Sequence, residues 1–229
     1  GAGDFPGQLV VPLLAVGQHQ EMAADGVGVP RLRSGQPQGQ LCPEDGLQLH
    51  PVRVGGLDFI HLSLECNAPD DVLAWASNLL TQHAKRRAII TTHMDLGVID
   101  KPKSNEGYSA DPQGRMRWVK IHGSRGNSGE QLWDKLFRKH ANLAFVLCGD
   151  QSRVTALRRA DQSGHGNTIH ALLSDYMSKG GLRLMRFIPS ESRVEVITWD
   201  TTNHQPIETM IHKKERQHHQ FSLLYEMKP

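Results

Sequence analysis

The first ordered pattern in the chain is a strand, helix and strand unit. Residues 57–64, LDFIHLSL, form an apolar run that predicts a strand. Pro69 and the two acidic residues after it predict the start of a helix, because Pro and carboxylates favour the first helical turn. The apolar stripe of that helix consists of Val72, Leu73, Trp75, Ala76, Leu79 and Leu80. A second apolar strand then runs from Arg87 to Thr92 and stops at His93.

The pattern changes after this unit. Residues 94–128 have no strong period and contain Gly, Pro, Ser and Asn throughout, which predicts a long loop of the kind that is either functional or disordered. Ser128 opens a helix with a capping-box pattern, and a buried strand then stops at Asp150. Alternating stretches at residues 168–173, 182–187, 194–199 and 221–225 predict antiparallel strands of a second sheet region. The predicted fold class is α/β.

His93 directly follows one apolar run, and Asp150 follows another after a single glycine. In an open α/β sheet, ligands and catalytic groups gather beyond the carboxyl ends of the strands. The two residues therefore indicate one shared edge with two potential metal ligands. The alternative is that His93 bonds only to backbone and that Asp150 opens a turn.

Bulk composition excludes several classes of protein. The chain has 229 residues, 38% hydrophobic and 22% charged, as expected of a soluble globular protein. A net charge of +2 without basic and aromatic clusters argues against a nucleic-acid partner. No window approaches a membrane span and no signal peptide is recognisable, so we expect a cytoplasmic protein without a membrane partner. Its three cysteines are widely spaced and lack a CxxC pair, which predicts reduced thiols.

Residues 1–52 differ from the rest of the chain. They contain no Ile, Lys, Asn, Thr, Tyr or Trp, and Gly, Gln, Pro and Val are frequent. Apart from residues 9–16 they lack an apolar pattern, so disorder or an irregular wrapping segment is expected. The missing residue types are mostly those with AT-rich codons, and one hypothesis is that this segment is a GC-rich reading in a shifted frame. We divide the chain into an atypical segment, residues 1–52, and a domain, residues 53–229.

The ordered segments resemble the C-terminal half of a calcineurin-like metallophosphoesterase. The resemblance covers roughly residues 55–227 and depends on the order of several short stretches, since each alone is weak. These stretches are residues 59–65 (FIHLSLE), 73–76 (LAWA), 90–93 (ITTH), 126–133 (GNSGEQLW), 146–149 (VLCG), 166–170 (GNTIH) and 172–176 (LLSDY).

The resemblance implies a metal site in which two ions activate water for attack on a phosphoester. His93 matches the lone histidine of the family and is implied as a metal ligand. Asp150 and Ser152 stand at the two histidines of the family's GHxH motif, and Asp150 remains a competent ligand for Zn, Mn or Mg, with Zn favoured. His19 follows Gly17 and Gln18 in a short match to the family's GNH motif, which would make it a ligand. The family's DxH and GDxxD motifs have no counterpart.

Other side chains are candidates for the vacant positions. His122, in the long loop, is a supplementary metal ligand or proton handler, or else a solvated histidine. Asp95 lies two residues beyond His93, where it could orient the imidazole, bind metal, move protons or cap a turn. Arg125 could contact a phosphoryl group. Among the other histidines, His165 stays open, His170 is assigned to structure, and His212, His218 and His219 form either a second site or a solvated tail.

Half of a two-sheet fold would leave one apolar sheet face in water. We therefore expect half of a metallophosphoesterase-type β-sandwich with flanking helices, completed by homodimerisation. The expected function is metal-dependent hydrolysis of a small-molecule phosphodiester or phosphotriester with a good leaving group. The alternative is a non-catalytic remnant that serves as a metal-binding or interaction module.

Overall fold

The computed structural model describes residues 9–14, 48–54, 56–177 and 180–227, the first two ranges by their backbone alone. The strands are β1 (Leu9–Leu14), β2 (Gln48–Val54), β3 (Leu57–Leu64), β4 (Arg87–Thr92), β5 (Leu96–Val98), β6 (Gln113–Arg115), β7 (Leu143–Cys148), β8 (Ala156–Gln162), β9 (Thr168–Ser174), β10 (Gly181–Ile188), β11 (Arg193–Asp200), β12 (Gln205–Pro206) and β13 (Gln220–Leu224). The α-helices are α1 (Asp70–Gln82), α2 (Asn105–Ala110) and α3 (Gly129–Lys135).

The larger sheet has six strands in the order β2-β3-β4-β7-β9-β8. Its four inner strands, β3, β4, β7 and β9, run parallel, while β2 and β8 are antiparallel edge strands. All six residues of β7 are buried, as expected for an inner strand covered on both faces. The chain thus has a mixed α/β architecture, which confirms the predicted class at this level.

The second sheet is antiparallel and contains β1, β10, β11, β12 and β13. Its central strand β11 pairs with β10 along one edge and with β12 and β13 along the other. β1 extends it beside β10, and β2 pairs with β3 of the larger sheet. Both sheets therefore include a strand from the atypical N-terminal segment, and the boundary drawn at residue 53 falls within β2.

Alternate residues of β3 face two different cores. Ile60 and Leu62 pack among the apolar residues of α1 and α3 on one side of the larger sheet. Phe59 faces the other side, where its ring meets Phe187 of β10 at 5.3 Å between centroids. Both faces of the larger sheet are therefore covered within one chain. The apolar face on which the dimer prediction was based is absent from the described residues, so dimerisation needs another reason.

Arg183 organises the interior of the second sheet. Its guanidinium is buried and donates to the Leu173 carbonyl, Thr198 Oγ1, the Tyr176 hydroxyl and the His218 carbonyl, at 2.7–3.2 Å. Tyr176 in turn lies 2.8 Å from Nδ1 of His219, which is fully buried. His219 is thus a core residue, and the prediction that it belongs to a second site or a solvated tail is wrong.

Most predicted elements of residues 57–150 are confirmed, including β3, α1, β4, the capping box of α3 and β7. The long loop is only partly irregular, because β5, α2 and β6 lie within it. The prediction that residues 168–173 belong to the second sheet is wrong. These residues form β9, which pairs parallel with β7 in the larger sheet.

Across the described ranges, no helix has both the length and the apolar character needed to cross a bilayer. The cytoplasmic location stays a prediction.

The aromatic contacts between the sheets predict a large stability effect. Phe145 is fully buried, and its ring contacts Phe187 and Tyr225 edge-on at 5.7 and 5.2 Å. Phe145→Ala should lower the free energy of unfolding by about 3–5 kcal/mol, because it leaves a cavity between the sheets. Leu224→Ala is the control, since Leu224 is 83% exposed and should change stability by less than about 0.5 kcal/mol. Equal effects in urea unfolding would contradict the described packing.

Candidate functional site

The four parallel strands each end at or next to an ionisable residue. Glu65 follows β3, His93 follows β4, Asp150 follows β7 after one glycine, and Asp175 follows β9. Because parallel neighbours end at the same edge, this arrangement gathers three carboxyl groups and an imidazole beyond the carboxyl ends of the strands. We call this set the strand-end cluster.

The contact between His93 and Asp150 is the centre of the cluster. The Gly149 amide donates to the His93 carbonyl at 3.0 Å, which holds the two strand ends together. Asp150 then adopts a left-handed backbone, with φ of 54°, a conformation that Asp tolerates better than most residues. Its Oδ1 lies 3.4 Å from Nε2 of His93. The two residues that the sequence analysis selected as ligands are therefore neighbours.

Asp150 also binds Lys120 from the loop between β6 and α3. Lys120 Nζ donates to Asp150 Oδ2 at 2.7 Å, on the oxygen that His93 does not face. Burial raises the pKa of the Asp150 carboxyl, but hydrogen bonds and charge from His93 and Lys120 outweigh burial, and the net pKa is lowered. The carboxylate is thus held ionised between two cationic or potentially cationic groups.

A second pair, Glu65 and His122, lies at the end of β3. His122 Nε2 is 2.9 Å from Glu65 Oε2, and both side chains are about one-quarter to one-third exposed. The Glu65 carbonyl accepts from Thr92 Oγ1, which ties β3 to the end of β4. The loop therefore brings His122 to the carboxyl edge of the sheet, as expected from the sequence. The contact of His122 at this edge is with the Glu65 carboxylate and not with His93 or Asp150.

Asp175 and Cys66 complete the surroundings of Asp150. Burial raises the pKa of Asp175, and the neighbouring Asp150 charge raises it further while His93 lowers it. Burial likewise raises the pKa of the Cys66 thiol to about 11, with a further contribution from Asp150. Cys66 is therefore a protonated thiol at neutral pH and a poor nucleophile.

Asp95 lies elsewhere than the sequence analysis expected. Its carboxyl is fully buried and forms an ion pair with Arg115 at 2.5 Å, and Arg115 in turn reaches Asp161 at 3.2 Å. Although Asp95 is two residues from His93 in sequence, its carboxylate accepts a hydrogen bond from Arg115 in the interior of the protein. Spacing alone missed this pair, because the partner comes from β6, which was not predicted. We do not assign Asp95 to proton transfer.

The other predicted residues are also outside the cluster. His19 lies outside the described residues. His170 is structural as expected, since its ring stacks on Phe145 and its Nε2 contacts the Leu224 carbonyl. His165 contacts the Lys139 carbonyl, and the exposed Arg125 faces Asp71 at 4.0 Å. Neither reaches the strand ends through these contacts.

Sequence reasoning missed Glu65, Lys120 and Asp175. A signal was present for the two acids, because each directly follows an apolar strand. Asp175 was overlooked because β9 was placed in the wrong sheet.

The donor set fits a metal ion only in part. Nowhere in the described ranges do three or more His, Cys, Asp or Glu side chains form a group that could hold a metal ion. His93 and Asp150 supply two suitable donors, and the Lys120 ammonium on Asp150 indicates that this carboxylate faces a position suited to a cation. Catalytic zinc sites have three protein ligands. The described residues therefore fit two ligand positions of one ion and do not fit the family's two-ion site.

Comparisons with known proteins give limited guidance. No protein-family model matches the chain. The chain is 25% identical over 193 residues to an uncharacterised protein, YvnB, of Bacillus subtilis strain 168. The match covers 78% of this chain and 13% of YvnB, so the chain spans a small part of that longer relative.

The lowered pKa of Asp150 predicts a pH-dependent stability contribution. A carboxyl whose pKa is lower in the folded state stabilises the fold above its ordinary value of 3.8, and this stabilisation is lost as the pH falls through the folded-state pKa. Asp150→Asn should therefore destabilise the protein at pH 7, and the difference from wild type should shrink below about pH 4. Chemical unfolding at pH 7, 5, 4 and 3 measures this. A difference that stays constant across the series would contradict it.

Proposed function

We propose that the strand-end cluster binds and hydrolyses phosphoesters with the help of one divalent metal ion. The observation that carries the proposal is the contact of His93 with Asp150 at the carboxyl edge of a parallel sheet, beside a lysine and a second histidine. The segment resemblance to metallophosphoesterases and the position at a strand edge support the same class of reaction.

His93 Nε2 and a carboxylate oxygen of Asp150 are the atoms of this chain that would hold the ion, with zinc favoured over manganese and magnesium. Such an ion, when bound, supplies Lewis acidity and makes a coordinated water more acidic. The further ligands have two candidate sources, His19 and a second copy of the chain. The homodimer prediction is thereby retained for a different reason from the one first given.

Lys120, Glu65 and His122 have roles that follow from their contacts. Lys120, when released from Asp150, can bind a phosphoryl oxygen through its ammonium group. Glu65 contacts Nε2 of His122 and so orients the ring, which leaves the other ring nitrogen, Nδ1, as the atom that can donate a proton to the leaving oxygen. Water adds to phosphorus as the P–O bond to the leaving group breaks, and the proton that the water loses passes to solvent. Substrates with good leaving groups need the proton from His122 least, so aryl phosphodiesters and phosphotriesters are the proposed substrates.

The alternative is a non-catalytic module. The small donor set supports it, because two protein ligands give a weakly held ion. In this case the chain would bind a metal ion or a partner at the same edge without turnover.

Substitutions at the cluster test the proposal. With added Zn or Mn, His93→Ala and Asp150→Asn should each lower kcat/KM for a nitrophenyl phosphodiester by about 100-fold or more. Loss of a ligand should exceed the effect of about 10–100-fold that follows loss of a group that only hydrogen-bonds to a ligand. His122→Ala should lower it by about 100-fold while the metal content stays unchanged, as expected for loss of a proton donor.

His212→Ala is the control, since His212 is exposed and lies in the C-terminal part of the chain. Turnover that survives both chelation and His93→Ala would reject the hydrolase proposal. Metal binding that depends on Asp150 without any turnover would favour the non-catalytic module.

A further inference from the structure

A cavity lies at the amino edge of the larger sheet, opposite to the strand-end cluster. Its volume is about 570 Å³, and its walls come from the turn before β4, the start of β7, the turn between β8 and β9, and the chain after β13. Since β4 and β7 have six residues each, about 20 Å of strand separates this cavity from the carboxyl edge. We call it the amino-edge cavity. Its size lies within the range of small-molecule sites.

The amino-edge cavity carries an excess of positive charge. Three consecutive cations, Lys85, Arg86 and Arg87, line it, and Glu226 is the only acid among the described residues of its walls. Lys85 is exposed and Arg86 is half-buried, and neither forms an ion pair within the described ranges. Like charges that are held together repel each other, and a bound anion would relieve this repulsion.

Asn142 fastens the turn that carries these cations. Its Nδ2 donates to the carbonyl oxygens of Leu80, His83 and Arg86, at 3.1–3.3 Å. Its own carbonyl accepts from the Ala88 amide at 2.8 Å. The backbone on both sides of the cationic turn is therefore fixed, so a ligand would meet charges that are already gathered and would pay less entropy to order them.

The aromatic side chains that line the cavity are uncharged. His170 is 7% exposed and its ring stacks on Phe145. Burial lowers the pKa of His170, so the imidazole is neutral at pH 7. Burial also raises the pKa of Tyr225 to about 12, although a hydrogen bond and the charge of Arg87 oppose this rise. The cavity thus combines a cationic wall with neutral rings.

We propose that the amino-edge cavity binds a small organic phosphate, with Arg86 and Lys85 on the phosphoryl group and the organic part against His170 and Tyr225. The inference goes beyond the proposed function and needs no metal ion. A phosphate dianion balances an excess of two positive charges, whereas a carboxylate balances only half of it. The guanidinium of Arg86 can donate two parallel hydrogen bonds to a phosphoryl group. A bare phosphate would fill only a small part of the volume, so the ligand carries an organic part.

Phenylphosphonate is a suitable probe, because it combines a doubly charged head with an aromatic ring and its C–P bond resists hydrolysis. Calorimetric titration of the full chain, freed of metal ions on a chelating resin, should show saturable binding. Benzoate presents the same ring with a single charge and should bind at least about tenfold more weakly. Inorganic phosphate lacks the ring and should also bind more weakly than phenylphosphonate.

Substitution of the cations tests the position of the site. Arg86→Gln should raise the Kd for phenylphosphonate by about tenfold or more, because it removes a charge-assisted contact. Asn142 binds the Arg86 carbonyl and not its side chain, so this variant should keep the fold. Lys85→Gln should raise the Kd by about threefold, as expected for an exposed point charge.

Arg216→Gln is the control. Arg216 Nε lies 3.0 Å from Oε1 of Glu208, and neither residue lines the amino-edge cavity. This variant should leave the Kd for phenylphosphonate unchanged.

Three results would overturn the proposal. The first is an absence of saturable binding by the wild type, or an equal affinity in Arg86→Gln. The second is an equal affinity of the wild type for benzoate and phenylphosphonate, which would reject the assignment to phosphate. The third is binding that Lys120→Met weakens and Arg86→Gln does not, because the phosphonate would then lie at the strand-end cluster. None of these results would by itself reject the proposed hydrolysis.

Discussion

The parallel register of β3, β4, β7 and β9 decides which side chains can meet. Leu64 is paired with Thr92, and Cys148 with Leu173, so neighbouring strands end at almost the same level. Glu65 and His93 come directly after that level, whereas Asp150 is one residue farther out. The backbone of Asp150 is left-handed, a conformation that costs Asp less than it costs a bulky residue. With this backbone, the Asp150 carboxylate lies beside His93. A one-residue change of register in any pair would separate the cluster.

The strand ends are held from the interior as well as at the edge. The ion pair of Asp95 and Arg115 lies just beyond His93 in sequence, and the Asp95 carbonyl accepts from the Met116 amide. Asp95 Oδ1 and Arg115 Nε have no hydrogen-bond partner among the described residues. The desolvation of the two charges is therefore incompletely offset, and the pair by itself contributes little to the stability of the fold. The pair fixes the chain two residues beyond His93, on the carboxyl side of β4.

The periodicity and capping patterns of short segments predicted correctly those features of the fold that depend on local sequence. The strands β3, β4 and β7, the capping box of α3 and the proximity of His93 to Asp150 all follow from periodicity and from the rule for parallel strand ends. The failures concern partners that are distant in sequence. Whether residues 168–173 pair with β7 or with a later strand is not encoded in their alternation, and an error there removed Asp175 from consideration. Asp95 and Arg115 are 20 residues apart, and the strands next to or at these residues, β5 and β6, have only three residues each, too few to show a period. Asn67 accepts from the backbone amides of Lys120 and Ile121, and such contacts leave no side-chain pattern in the sequence.

Charge balance explains why a cation is required at this edge at all. Glu65, Asp150 and Asp175 bring up to three negative charges to adjacent strand ends. Burial raises the pKa of Asp175, and the Asp150 charge adds to that rise. Like charges in a partly buried cluster oppose folding unless a positive group lies among them. Lys120 supplies that group with a rigidly held backbone and a flexible side chain. Lysine makes a single-point contact with a carboxylate, whereas a bidentate arginine would bind it with two parallel hydrogen bonds. Lys120 therefore balances the charge of Asp150 through Oδ2 and leaves Oδ1 to face His93.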